Sequence, residues 1–135
     1  MTTIESNETT VNKNADEVYT FLSDFRNFEK LMPEQVTNWK ATEDECSFTI
    51  KGMASLGMKI KQKTPNSLIE IERSGKAPFD FTMKCVIVPY DSQSGVRLVL
   101  EADLNPMLKM LAEKPLTNFL NLLVTRLAEI SSHNS

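Results

Sequence analysis

The sequence predicts an α+β fold in which a curved antiparallel sheet wraps around a long C-terminal helix. Three observations predict it: helical spacing of apolar residues over 14 to 32, a period of two from Val36 to Leu104, and an amphipathic run from Met107 to Ile130. At 135 residues the chain is the size of one domain, because two cores sharing that length would each be marginal. Leu, Ile, Val and Phe supply 36 positions, above the ~20% below which chains tend to stay disordered. A single domain over 1–135 is the expectation.

The chain opens with a short, weakly patterned strand near Ile4 to Val11. Ala15, Val18, Tyr19, Leu22 and Phe25 then recur at spacings of three and four, and Asn14 with Glu17 forms a capping-box signature before them. Asp24 to Asn27 interrupts that pattern. Phe28, Leu31 and Met32 predict a short second helix, which Pro33 ends because it cannot continue the hydrogen-bond ladder.

From Val36 onward the alternation predicts five or six strands in a meander. The polar breaks at Glu43-Asp44, Gly52 to Gly57, Thr64 to Ser67, Ser74 to Pro78 and Asp91 to Ser94 mark its turns. A hairpin closed by Thr64 to Ser67 pairs Lys61 with Glu70, Lys59 with Glu72 and Ile60 with Ile71. A hairpin closed by Asp91 to Ser94 pairs Lys84 with Glu101 and sets Met83, Cys85 and Ile87 against Ala102, Leu100 and Leu98. Both registers put the charges on one face. The other face then holds Trp39, Cys46, Phe48, Ile50, Ile60, Ile69, Ile71, Phe79, Phe81, Met83, Cys85, Ile87, Leu98, Leu100 and Ala102.

An apolar sheet face needs a cover, and the C-terminal helix supplies it. Asn105-Pro106 reads as an N-cap followed by a first-turn proline. Met107, Met110, Leu111, Leu116, Phe119, Leu120, Leu123, Leu127 and Ile130 follow at helical spacing. Pro115, inside this run, removes one backbone hydrogen bond and is expected to bend the helix. Thr117, Asn118, Asn121 and Thr125 form a polar, uncharged stripe suited to solvent or to a partner protein.

Charge and composition exclude several functions. Fifteen Lys and Arg against eighteen Asp and Glu leave a net charge of -3, without the basic excess of a nucleic-acid binder. Lys51, Lys59, Lys61 and Lys63 look like a basic patch, but cross-strand glutamates balance at least two of them. The first ten residues lack a signal peptide's pattern, and no run approaches the ~18 apolar residues of a membrane span, so the expectation is a soluble, cytoplasmic protein. Cys46 and Cys85 have neither metal-ligand nor redox-motif spacing and read as buried free thiols. The one histidine, His133, lies in the polar tail Ser131 to Ser135. No metal or cofactor is expected, because no ligand cluster stands ready to hold one.

The order strand, two short helices, meander and long helix resembles the START-like (SRPBCC) superfamily and its helix-grip fold. The resemblance is nearest to small bacterial polyketide cyclase/dehydrase-like proteins, and it is carried by Asn14 to Tyr19 with Phe21 to Asp24, by Leu31-Met32-Pro33, and by Leu104 to Met107. It implies a cavity between the concave sheet and the long helix. Members of that superfamily variously bind lipids, hormones or quinones, catalyse cyclisation, or act on protein partners.

In that architecture the inward face doubles as a candidate pocket lining: Trp39, Phe48, Ile71, Phe81, Met83, Leu100 and Phe119, with Met107 and Met110 closing one end. For each of them plain core packing is the competing reading. Gln62 and Arg73 share the inward parity, and burial demands partners for both. Arg73 either reaches solvent at the rim, beside Ser74-Gly75, or anchors an acidic ligand group. The inward parity contains no Asp or Glu, since Glu70, Glu72, Asp80, Glu101 and Asp103 fall on the outer face, so general acid-base catalysis lacks its usual groups. The expected function is binding of a small apolar or amphipathic molecule, possible acidic end included. A partner-binding protein with a filled core, or a homodimer, and a cyclase or dehydratase-like enzyme stand as alternatives.

Overall fold

The computed structural model describes residues 1–75 and 77–133. Lys76, within the expected Ser74 to Pro78 turn, and Asn134 and Ser135 of the polar tail lie outside the described residues. In chain order the elements are β1 (Thr2–Glu5), β2 (Thr9–Val11), α1 (Ala15–Leu22), α2 (Phe25–Phe28) with a 3-10 turn at Glu29–Leu31, and β3 (Val36–Ala41). There follow β4 (Glu45–Ile50), β5 (Ala54–Thr64), β6 (Leu68–Arg73), β7 (Phe81–Tyr90), β8 (Gln93–Ala102) and α3 (Pro106–His133). The strands form one curved antiparallel sheet in the order β1-β8-β7-β6-β5-β4-β3, with β2 also pairing β8.

The expected N-terminal strand is split in two. Ser6 turns inward and takes over the pairing with its side chain: its backbone N–H donates to the Leu98 carbonyl at 2.9 Å, and its hydroxyl accepts from the Leu98 N–H at 2.9 Å. The next residue, Asn7, donates its backbone N–H to Asn121 Oδ1 at 2.7 Å, so one member of the polar helix stripe ties α3 to the sheet edge. Asn14 caps α1 as expected, accepting from the Glu17 N–H at 2.9 Å. Asp24 caps α2 through the Arg26 N–H and grips the Arg26 guanidinium, whose hydrogen bonds hold the Asp24 carboxyl below the usual carboxylate range.

Three turn and register expectations are corrected. The break expected over Gly52 to Gly57 ends at Met53, and Leu56, Gly57 and Met58 are buried strand residues. Gly57 is needed in β5 because a Cβ there would stand 2.2 Å from the Ser74 carbonyl oxygen. In the β5–β6 hairpin Lys59 does face Glu72 and Ile60 faces Ile71, but Gln62 faces Glu70, leaving Lys61 in a bulge. The extra residue flips the parity beyond it, so Gln62 stands exposed on the outer face. In the β7–β8 hairpin the turn is only Asp91-Ser92, and Asp91 adopts a positive φ of 58°. The register therefore slips by two: Lys84 faces Val99, and Met83, Cys85 and Ile87 face Leu100, Leu98 and Val96. A slip of two preserves sidedness, which is why those inward residues remain buried.

The buried face of α3 consists of Ala112, Leu116, Leu120, Leu123, Val124 and Leu127, laid on the inner face of the sheet. The meander alternates its turns between two ends. The 42–44, 65–67 and 91–92 turns share an end with α1 and α2, which close it with Leu22, Phe25 and Phe28. At the other end lie the 51–53 turn, the β6–β7 connection and the first turns of α3.

Candidate functional site

The second end is the open one. Asn105 caps α3, its side chain accepting from the Leu108 N–H at 2.9 Å, and Pro106 follows at the first helical position. The helix then stands clear of the sheet. Met107 is 72% exposed and Met110 is 85% exposed, so neither lines the interior as expected. They belong to the helix's apolar run, but they stand nearly opposite Ala112 around the helix, on the side away from the groove that Leu108 and Ala112 border. α3 is assigned as one helix through Pro115, which itself is exposed on the helix surface.

Opposite this stretch, Gly52 adopts a positive φ of 78° and turns the chain tightly between β4 and β5. The Lys51 N–H donates to the Gln35 carbonyl at 2.8 Å, fixing the turn to the segment before β3. A groove of about 620 Å³ lies between this turn and α3, lined by Ile50, Lys51, Met53, Leu111, Pro115 and Phe119 among others. Lys51 is the only charged side chain on its wall among the described residues.

Inside, between sheet and helix, lies a cavity of about 30 Å³ whose wall is wholly apolar. Phe48, Phe81, Met83, Leu100 and Phe119 of the expected lining all meet there, joined by Leu56, from the stretch taken for a turn, and by Met58 just beyond it. A cavity of this size has room for about two waters, far below the ~300 Å³ at which ligand pockets usually begin. Ile71 is buried at 1% exposure and packs in the core without bordering it. Ile50 and Phe119 border both spaces.

Trp39 reaches the interior through a second bulge. Thr37 faces Thr49 and Lys40 faces Ser47, so Asn38, at φ 56°, and Trp39 together oppose Phe48. The Trp39 and Phe48 ring centroids lie 5.4 Å apart, and Phe48 lies 6.5 Å from Phe119 with the planes 22° from parallel. The Trp39 indole Nε1 is buried and has no hydrogen-bond partner.

Arg73 holds the inward register opposite Met58 but is exposed at the rim. Its Nε donates to Asp80 Oδ1 at 3.1 Å and its guanidinium also donates to the Gly75 carbonyl. The cation is engaged by its own strand's connection, and sequence parity could not show this because Asp80 precedes β7 rather than lying in it.

The walls of groove and cavity contain no Asp, Glu or His among the described residues. Burial pushes both the Cys46 and the Cys85 thiol up to about 12, so neither is a thiolate nucleophile near neutral pH. No group of three His, Cys, Asp or Glu among the described residues could hold a metal ion. The arrangement is suited to enclosing apolar surface, with one cation at the mouth. Sequence reasoning missed Lys51 and Met53, which it placed in or beside a turn; the only signal there was their position flanking Gly52.

No protein-family model matches the chain, and no curated protein matches it. Solved structures do. A START superfamily protein from Mycobacterium smegmatis aligns with a TM-score of 0.73 at 15% identity, over 98% of this chain and 99% of that one. A protein from Thermus thermophilus aligns with a TM-score of 0.78 at 14% identity, over 99% of both chains. A point mutant of norcoclaurine synthase from Thalictrum flavum, in complex with a transition-state analogue, aligns with a TM-score of 0.77 at 14% identity, over 99% of this chain and 96% of that one. At such identities the likeness is one of fold. The chain has the START-like helix-grip fold, and among the described residues no helix is long and apolar enough to cross a membrane.

Proposed function

We propose that the chain is a binding module for a small apolar or amphipathic molecule, taken at the open end of the fold between the Lys51–Met53 turn and the first half of α3. The observation that carries this reading is that Ile50 and Phe119 are walls of both the groove and the inner apolar cavity. A ligand seated in the groove is separated from the apolar interior by two side chains, one of them a half-buried ring. The apolar part of the ligand gains ~0.8 kcal/mol for each methylene it buries. An acidic end, where the ligand has one, faces Lys51 at the mouth rather than Arg73, whose guanidinium Asp80 already holds. The transition-state analogue held by norcoclaurine synthase adds a small molecule bound on the same fold. With no Asp, Glu or His on either wall among the described residues, binding is the better reading than catalysis.

The test is a thermal-shift and calorimetric screen of fatty acids, fatty alcohols and aromatic acids. The wild type is expected to gain thermal stability with at least one class. Leu111→Glu, a charge placed on the exposed groove wall, is expected to abolish the gain with the fold intact. Lys51→Ala is expected to erase preference for acids over alcohols, and Arg73→Ala to leave it unchanged. If no compound stabilises the wild type, or Leu111→Glu binds as well, the reading is wrong.

A second reading has its own observation. An inner cavity of only about 30 Å³ is what a filled core leaves, and Met107, Met110 and Leu111 stand exposed on the first turns of α3. That combination supports a module that contacts a protein partner through α3, and a ligand screen with no response would favour it.

A further inference from the structure

We propose that Gln35 and Asn118, on opposite walls of the groove, select a ligand that carries an amide between its apolar chain and its acidic end, an N-acyl amino acid, with the carboxylate held by Lys51. The proposal rests on the ligand-binding reading above and names the class of ligand that site takes.

The groove's polar inventory points to it. Gln35, Lys51 and Asn118 are its polar lining side chains among the described residues. Both carboxamides are exposed, and neither has a hydrogen-bond partner among the described residues. The polar stripe of α3 thus divides in use: Asn121 ties the helix to Asn7, whereas Asn118 lines the groove unpartnered. Gln35 adjoins Lys51 on the sheet side through the 2.8 Å backbone bond. Asn118 continues the row of Leu111 and Pro115 along α3, and its neighbour Phe119 borders the inner cavity. A ligand whose acid lies at Lys51 and whose chain ends at Phe119 therefore starts beside one carboxamide and finishes beside the other.

That placement decides what the middle of the ligand must be. A plain alkyl segment laid between the carboxamides would strip water from both and return no hydrogen bond. A trans amide returns two, because its N–H and C=O point in opposite directions and so reach opposite walls at once. Each carboxamide holds both an NH2 donor and an oxygen acceptor, so either wall takes either half. An ester offers no donor, and a hydroxyl presents its donor and acceptor from a single atom. An amine in place of the acid would meet Lys51 and no counter-charge on the wall. The groove's volume of about 620 Å³ lies within the ~300–1,000 Å³ of small-molecule sites.

The experiment is calorimetry with N-decanoylglycine, with decanoyloxyacetic acid, its ester counterpart, and with tridecanoic acid. The three match in chain length and charge and differ in the linkage. The wild type is expected to bind the amide about tenfold tighter than the ester. With Gln35→Leu and Asn118→Leu combined, that preference is expected to vanish while tridecanoic acid binds at least as tightly as before. Both side chains are exposed, and the Gln35 backbone carbonyl that holds the Lys51 turn survives the change, so the fold is kept. Lys51→Ala is expected to weaken all three compounds and leave the ratio of amide to ester unchanged. By NMR, the side-chain NH2 signals of Gln35 and Asn118 are expected to move downfield with N-decanoylglycine and not with tridecanoic acid. Equal affinities for amide and ester in the wild type, a preference that survives the double substitution, unmoved carboxamide signals, or undiminished binding in Lys51→Ala would overturn the assignment, while binding of tridecanoic acid would leave the binding reading in place. Binding of none of the three, together with a silent fatty-ligand screen, would overturn that reading and the assignment with it.

Discussion

The two ends of the sheet-and-helix layer are built from the same kinds of residue and packed to different degrees. At the closed end Phe25 and Phe28 meet edge-on at 5.1 Å, both no more than 1% exposed, and the residual cavity beside Phe28 and Leu127 is about 10 Å³. At the open end Leu111 lies more than half exposed on the wall of a groove of about 620 Å³, and Met107 and Met110 are more exposed still on the same stretch of α3. The difference shows where stability and binding are placed. One end has two short helices over it; the other has a tight turn, a strand connection and the beginning of α3.

The contrast breaks first under large-to-small substitutions, where the greatest effect is expected. Phe25→Ala removes a ring with no exposed surface and is expected to cost about 3–5 kcal/mol in urea unfolding, lost burial and cavity together. Leu111→Ala, at a position 67% exposed, is expected to stay within about 0.5 kcal/mol of wild type. Similar losses at the two positions would mean that the open end is packed in solution and that the groove is closed.

The closed end and the sheet's sidedness were legible in the sequence, and the open end was not, for physical reasons. Alternation located Phe48, Phe81, Met83 and Leu100, because strand parity survives any register slip of two, as in the β7–β8 hairpin. It failed at Gln62, because the one-residue bulge at Lys61 reverses parity and nothing in the local sequence marks it. Glycine misled in one case and informed in another: Gly52 makes a turn, while Gly57 sits in a strand because Ser74 approaches it. Met107 and Met110 extend the apolar run of α3, but that run covers more than one side of the helix at its start, and spacing alone does not tell which side meets the sheet. The partner of Arg73 and the orphan indole of Trp39 depend on contacts between elements, which no window of sequence contains.

A smaller effect sharpens the description of the open end. Pro115 lies on the groove wall inside α3 and has no N–H to donate to the carbonyl of Leu111. Pro115→Ala restores that donor at an exposed helical position, and stability is expected to rise, by up to ~3 kcal/mol, the propensity difference between the two residues. Ligand affinity is expected to fall, because the groove loses the ring that forms part of its wall. A variant that loses stability would show that the proline packs as a core residue, which would make the open end less open than its exposed methionines indicate.

The smallest effect lies on the outer face of the β5–β6 hairpin, where two lysines on one strand have different surroundings. Lys59 lies opposite Glu72, with Nζ 3.6 Å from the carboxylate, and both side chains are about a third or more exposed. Water screens such a pair, so a double-mutant cycle is expected to give a coupling of only ~0.2–1 kcal/mol, smaller still in high salt. Lys61, two residues on, occupies the bulge, and Glu70 instead faces Gln62 on one side and Lys84 on the other. The Lys61 and Glu70 cycle is therefore expected to give no coupling above error. The bulge decides between these outcomes, because a regular hairpin would bring Lys61 opposite Glu70 and couple it as strongly as Lys59 is coupled to Glu72. Equal couplings in the two cycles would restore the regular register and return Gln62 to the inner face.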